Sequence, residues 1–306
     1  MTLRVTFLGT SAAIPTTARN PSSVCVNREG DRLLFDVGEG TQRQMMRFGT
    51  GFAIDEIFLT HVHGDHVLGL PGLLQTWDFT EREKPITIFT PRGTADPLNR
   101  FISALEEEPA YGVTIIEVEP NATIMTRDEY EIRTFPTDHR TTTVGYALVE
   151  YDRKGRFFRE RAEELGVPVG PKFSQLHRGE SVELDDGTVV KPEDVVGPPR
   201  PGRRLVYTGD TRPTESVVEA ASDADLLIHD ATFTDEHEGR ARTTAHSTAR
   251  EAGQIAARAN AKRLALTHIS SRYAGQSPGH VQQASTAFDG DVVLAEDGRE
   301  LEIPLP

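Results

Sequence analysis

The stretch Thr60-His61-Val62-His63-Gly64-Asp65-His66 constrains this 306-residue chain more than any other. It places four metal-ligating side chains, His61, His63, Asp65 and His66, directly after the largely apolar run Ile54-Asp55-Glu56-Ile57-Phe58-Leu59. An apolar run that short, ending in Thr60-His61, predicts a buried strand feeding a ligand loop. Imidazole nitrogen and carboxylate oxygen suit zinc and similar first-row divalent ions. Four such ligands in one loop cannot all reach one tetrahedral ion without strain. The spacing instead suits two ions, His61 and His63 serving one, Asp65 and His66 the other.

Three further candidate ligands follow the same rule, each at the end of a predicted strand. Glu131–Phe135 leads to His139, Arg204–Thr208 leads through Gly209 to Asp210, and Lys262–Thr267 leads to His268. A single His after a strand is ordinarily a surface or hydrogen-bonded polar residue. Seven ligands gathered from four strand ends are instead the way a sheet rim assembles a metal site. Two divalent ions close together can clamp a phosphoryl group and lower the pKa of a water between them. Asp210, arriving on its own strand, is the natural bridge between the ions, and Asp65 can both bind the second ion and accept the proton of an attacking water. Asp36, at the end of Leu33-Leu34-Phe35, is a candidate to orient an imidazole, or equally a turn-former before Gly38. Zinc is the expected metal, with Mn²⁺ or Co²⁺ able to fill the same cage.

A leaving alkoxide needs a proton. His246, in the polar stretch Arg242–Ser247 before a helix, is the candidate donor, and Asp230, after the strand Asp225–His229, is the candidate to hold it protonated. His177, His229, His237 and His280 carry no pattern that raises them above ordinary polar residues.

The net charge of −14 argues against general affinity for nucleic acid, which rests on neutralising phosphates with Lys and Arg. Any polyanionic partner therefore needs a local basic patch, and one exists. Arg153-Lys154-Gly155-Arg156-Phe157-Phe158-Arg159-Glu160-Arg161 holds five cations, two aromatics and one acid. Paired aromatics among cations suit base stacking and phosphate contact together. The patch opens a Pro- and Gly-punctuated stretch, 150–204, which reads as a projecting insertion rather than a core element. No run approaches the roughly 20 apolar residues of a membrane span, the start of the chain goes straight into a strand (Leu3, Val5, Phe7), and Cys25 stands alone. These features predict a soluble, cytoplasmic protein with Cys25 as a small core residue.

Along the rest of the chain, helices are expected over Thr41–Arg47, from just after His66 through Trp77, and over Thr248–Asn260 with the capping-box pattern Thr248-x-x-Glu251. Ile57–His61 and Leu264–His268 resemble one strand-to-ligand device used twice, which hints at two related halves.

The ligand pattern His61-x-His63-x-Asp65-His66 with His139, Asp210 and His268 resembles the metallo-β-lactamase superfamily. Within it, the chain looks like a ribonuclease Z. Phe7-Leu8-Gly9-Thr10-Ser11 with Pro15, Arg19 and Asn20 is similar to that family's N-terminal motif, and Leu34–Gln42 and Gly69-Leu70-Pro71-Gly72-Leu73 are similar to two others. Gly166-Val167-Pro168-x-Gly170-Pro171, with Leu176 and Gly179, resembles its flexible arm. The resemblance implies an α/β fold, an αβ/βα sandwich, with one metallo-hydrolase domain over 1–306 and the insertion as a tRNA-binding arm. It implies a dinuclear zinc endonuclease, often homodimeric, that removes the 3′ trailer of precursor tRNA. It also implies that Ala231-Thr232 help position the RNA, that Gly170 and Pro171 belong to the gripping arm, and that His246 of His246-Ser247-Thr248 donates the proton. Where the family usually has Glu, this chain has Asp230, one methylene shorter, so a longer or water-bridged contact to His246 is expected. The ligands alone also permit a small-molecule phosphodiesterase or esterase.

Overall fold

The computed structural model describes residues 2–104, 109–274 and 279–306. Two seven-stranded sheets organise the larger of two compact units, Met1–Val149 with Arg204–Leu305. One sheet runs, in spatial order, Glu300–Glu302, Leu3–Gly9, Ser23–Arg28, Asp31–Phe35, Glu56–Phe58, Ile86–Pro91 and Val113–Val118. The other runs Asp291–Leu294, Arg263–Thr267, Leu226–Asp230, Arg204–Tyr207, Val144–Glu150, Tyr130–Pro136 and Thr123–Thr126.

Each sheet carries a parallel run of four strands. In the first these begin at Asp31, Glu56, Ile86 and Val113; in the second they begin at Arg204, Leu226, Arg263 and Asp291. Parallel strands bury both faces, and the sequence obliges. Leu3, Val5, Phe7, Phe35 and Phe58 of one sheet pack in a common core with Ile132, Tyr146, Leu205 and Ile228 of the other. Phe35, Phe58 and Phe89 stack in a row, with Tyr146 edge-on to the first two. Helices close the outer faces. Leu70, Leu73, Leu74 and Trp77 cover Ile57 and Ile88, while Ala249, Ala252, Ile255 and Ala256 cover Leu227, Leu264 and Leu266. The layers form the expected αβ/βα sandwich. Cys25 is a buried member of the outer core, where burial pushes its thiol up to about 12.

Two local expectations change. The helix after His66 begins earlier, at Gly64, stops at Val67, and resumes as Leu70–Phe79. The break is where the chain packs on the Asp36–Gly40 turn: Gly69 donates to the Val37 carbonyl, and a Cβ on Gly69 would lie 2.1 Å from the Gly38 oxygen. The two similar strand-to-ligand segments occupy different ranks, Glu56–Phe58 being second in its parallel run and Arg263–Thr267 third. The halves share an architecture, but those five residues are not its equivalent positions.

Glu150–Arg203 forms the second unit. It has a small core of its own, Ala162, Val167, Leu176, Val182, Val190 and Val195. The Pro and Gly residues delimit elements instead of preventing them. Pro171 and Pro192 open helices Pro171–Arg178 and Pro192–Val195, where a missing N–H costs nothing, and Gly179 ends the former in the left-handed region at φ +98°. At the two ends of the unit, the buried Arg203 guanidinium grips Glu150 through Nε–Oε2 at 2.8 Å and Nη2–Oε1 at 2.7 Å.

Candidate metal centre

All seven sequence-identified ligand residues meet in the larger unit, His61, His63, His139 and Asp210 in one group and Asp65, His66 and His268 in another that Asp210 also reaches. In the first, His61 Nε2 lies 3.0 Å from His63 Nδ1, and His139 Nε2 lies 3.3 Å from the same atom. Asp210 Oδ2 faces His61 Nε2 at 3.6 Å and His139 Nε2 at 3.7 Å. In the second, Asp65 Oδ2 stands 3.2 Å from His268 Nε2 and 3.7 Å from His66 Nε2. Asp210 Oδ1 faces His66 Nε2 at 3.4 Å and His268 Nε2 at 3.3 Å. Asp210 thus turns one oxygen to each group.

The outer partners explain why the rings point inward. Asp36 is fully buried with φ +55°. Its carboxylate accepts from His66 Nδ1 (2.8 Å), Tyr207 Oη (2.8 Å) and the Thr60 backbone N–H (2.8 Å), and the Thr60 hydroxyl lies 2.9 Å from it. A donated Nδ1–H leaves Nε2 as the lone-pair nitrogen facing the centre. His139 Nδ1 is likewise 2.8 Å from the Ala245 carbonyl, and His268 Nδ1 is 2.9 Å from the Thr232 hydroxyl. Asp65 Oδ2 also accepts the Ala13 N–H at 2.8 Å. His268 itself adopts φ +59°, a conformation uncommon outside glycine and frequent at functional sites.

Charge is strongly organised here. Burial resists ionisation of Asp210, but the charges of His268 and His66 overcome it and hold the carboxyl well below the usual range. For Asp65, burial is likewise outweighed, by the hydrogen bond with His268 and the charge of His66. Burial and the neighbouring His66 push His61 well below an ordinary imidazole. Among the described residues, His66 Nε2 and Asp210 Oδ1 are buried polar atoms with no hydrogen-bond partner. Two ionised carboxylates amid converging imidazole nitrogens, with such atoms left unpaired, fit divalent cations.

His246 stands beside this cluster. Its Nδ1 is 2.8 Å from Asp230 Oδ2 and 3.9 Å from Asp210 Oδ2, and its ring stacks on His268 with centroids 5.1 Å apart. Burial alone would lower its pKa, but the Asp230 and then the Asp210 carboxylate raise it to about 9. The contact to Asp230 is direct, not lengthened or water-bridged as the shorter side chain suggested. The strand Leu226–Asp230 delivers Asp230 fully buried, and the Thr211 and Thr232 N–H groups fix its two oxygens. Asp210, Asp230, His246 and His268 are also close enough to hold an ion, but Asp230 already spends both oxygens on these hydrogen bonds.

Ala231 and Thr232 lie beneath the site, both buried, with the Thr232 hydroxyl between Asp230 and His268. The Thr232 hydroxyl contacts Asp230 and His268, the Ala231 side chain joins the apolar core, and neither is exposed. In the smaller unit, Lys154, Arg156, Phe158, Arg159 and Arg161 are exposed, and a recess of about 480 Å³ is lined by Arg156–Arg161 and Glu164. Phe157 instead turns against Phe173, centroids 4.9 Å apart, and packs on the unit's core. Arg153 is half-buried, reaching the Pro201 carbonyl at 3.3 Å, and Arg159 pairs with Glu163 at 2.7 Å. Gly170 is half-buried and Pro171 exposed. Sequence reasoning missed Thr60, Tyr207 and Ala13 as parts of the site. Only Thr60, adjoining His61, carried a local signal.

The fold and site define a hydrolase of the metallo-β-lactamase type. Residues 3–157 match the family described as anti-Pycsar protein Apyc1, and residues 193–269 match the beta-lactamase superfamily domain. Ribonuclease Z of Haloarcula marismortui is 62% identical over 307 residues, covering 100% of this chain and 98% of that protein. Ribonuclease Z of Natronomonas pharaonis is 61% identical, covering 100% and 99%. The crystal structure of human tRNase Z, short form, superposes with a TM-score of 0.71 at 29% identity, covering 99% of this chain and 100% of that one. The chain belongs to the ribonuclease Z family, within a superfamily whose Apyc1 family it also matches over half its length.

Proposed function

We propose that this protein is the zinc-dependent endoribonuclease that removes the 3′ trailer from precursor tRNA. The observation that carries the reading is Asp210, which presents one oxygen to each of two ligand groups. His61, His63 and His139 would hold one zinc ion and Asp65, His66 and His268 the other, with Mn²⁺ or Co²⁺ able to replace them. Such a pair of ions supplies an activated water and neutralises charge on a phosphoryl group. Asp65, partly open to solvent and anchored by Ala13, takes the proton of the attacking water. The water oxygen bonds to phosphorus, the P–O3′ bond breaks, and His246, held by Asp230, protonates the departing 3′-oxygen. The products are a tRNA 3′-hydroxyl and a trailer bearing a 5′-phosphate.

Glu150–Arg203 supports a role as the tRNA-gripping arm through its exposed cations and Phe158. We further infer a homodimer in the cytoplasm; no helix among the described residues is long and apolar enough to cross a membrane. The direct test is cleavage of a precursor tRNA, with and without chelator, mapped to single nucleotides. A chelator-sensitive cut just 3′ of the discriminator base is expected, and absence of any cut in metal-supplemented buffers from low to molar salt would overturn the assignment. The ligand set by itself also permits a small-molecule phosphodiesterase or esterase, which is the second reading. Deleting residues 152–200 separates them: precursor cleavage should collapse while hydrolysis of a small phosphodiester survives.

A further inference from the structure

The contact with Asp230 aims the His246 ring but does not hold the backbone that carries it. Residues 245–248 link helix Glu238–Thr244 to helix Ala249–Arg258, and Ala245 sits in the left-handed region at φ +57°. Beside backbone bonds such as His246 N–H to the Ala241 carbonyl at 2.9 Å, three hydrogen bonds made by side chains fix this link. The Ala245 carbonyl takes the His139 N–H at 2.8 Å, Ser247 Oγ donates to the Thr211 carbonyl at 2.6 Å, and Arg212 Nη1 donates to the His246 carbonyl at 2.6 Å.

The third of these is braced through both the side chain and the main chain of Arg212. Arg212 forks onto Glu251, Nη1 to Oε2 at 2.8 Å and Nη2 to Oε1, with both side chains largely buried. Glu251 is the third residue of the helix Ala249–Arg258 and completes its capping box, accepting the Thr248 N–H at 2.8 Å. Through the main chain, the Arg212 N–H donates to the Asp138 carbonyl, beside ligand His139, at 2.8 Å. A planar guanidinium with fixed donor directions holds such a double geometry; an ammonium cannot.

We propose that Arg212 is the positioning residue of the proton donor: splinted on Glu251, it holds the His246 main chain where the ring reaches both Asp230 and the departing 3′-oxygen. This rests on the reading of the site as a precursor-tRNA endonuclease with His246 as the acid. In the step concerned, the electron pair of the breaking P–O3′ bond goes to the ribose oxygen, which takes the imidazole proton. The imidazole, left neutral, regains a proton from solvent.

The chemistry supplies a test that a purely structural role would not pass. Ribose oxygen is a poor leaving group and needs the proton; p-nitrophenolate is stable as an anion and does not. For Arg212→Met, kcat on precursor tRNA should fall about 10–100-fold, part of the roughly 10²–10⁴-fold that general acid–base catalysis supplies, with KM nearly unchanged. Hydrolysis of bis(p-nitrophenyl) phosphate and zinc per chain should stay close to wild type. Arg212→Lys should recover only part of the loss, and His246→Ala should show the same selectivity for the poor leaving group. Should Arg212→Met fail to fold, Glu251→Gln removes the splint while leaving the guanidinium, and the same leaving-group selectivity is expected. Equal losses on both substrates, or loss of zinc, would overturn the proposal. Wild-type protein that hydrolyses bis(p-nitrophenyl) phosphate but never cuts precursor tRNA would sink the functional reading instead.

Discussion

At the scale of single residues, the centre depends on groups that never face a substrate. Asp36 is the clearest case, since its two oxygens serve Thr60, His66 and Tyr207 at once. In Asp36→Asn the side chain keeps its shape but exchanges one acceptor for a donor, so at least one buried donor is left without a partner. His66 then loses the hydrogen bond that fixes its tautomer. Zinc affinity or turnover should drop about 10–100-fold, the usual effect of removing an outer partner of a metal ligand. Competition with a chromogenic chelator measures it, and unchanged affinity together with unchanged turnover would refute the role. In sequence Asp36 was a candidate to orient an imidazole, marked no better for that role than for forming the turn before Gly38. Nothing local to it announced Tyr207, which comes from the other sheet.

At the scale of elements, the ligand loop is held by close backbone approaches. Gly69 sits where the helix Leu70–Phe79 meets the Asp36–Gly40 turn, and the Gly38 carbonyl leaves no room for a methyl group. Gly69→Ala should therefore destabilise the fold by about 1–3 kcal/mol, the range for overpacking. Gly239 is the control. It lies inside helix Glu238–Thr244 with open space around it, so Gly239→Ala should be neutral or stabilise by up to about 1 kcal/mol. Urea denaturation of both variants decides the matter, and equal midpoints would show that the turn can yield. The capping box of the helix Ala249–Arg258 was legible because its signal is four residues long. The break at Leu68–Gly69 was not, because its cause lies some thirty residues away in the chain.

For the molecule as a whole, the charge distribution sets how it meets RNA. A chain of net charge −14 repels phosphates except where cations cluster. Replacing Arg153, Lys154, Arg156, Arg159 and Arg161 with Ala should weaken precursor-tRNA binding and flatten its dependence on salt, by about 0.7–0.9 in log–log slope for each phosphate that is no longer neutralised. Arg159, already paired with Glu163, and the half-buried Arg153 should contribute least. Filter binding across a salt series measures this, and an unchanged slope would move the RNA-binding surface elsewhere.

The amino-acid sequence by itself determined the ligand chemistry, the strand-end rule that delivers it and the capping box of the helix Ala249–Arg258. Each of these is a short-range pattern of side-chain type and spacing, and it survives whatever the rest of the chain does. The tertiary structure alone decided which oxygen of Asp210 faces which group and that Tyr207 closes on Asp36. It also decided that Asp230 reaches His246 directly, that Phe157 serves the small core of its own unit, and that Arg212 braces the His246 link. These outcomes depend on the register and stacking of strands far apart in sequence. A one-residue shift of a strand turns every side chain to its other face, so no local pattern can specify them.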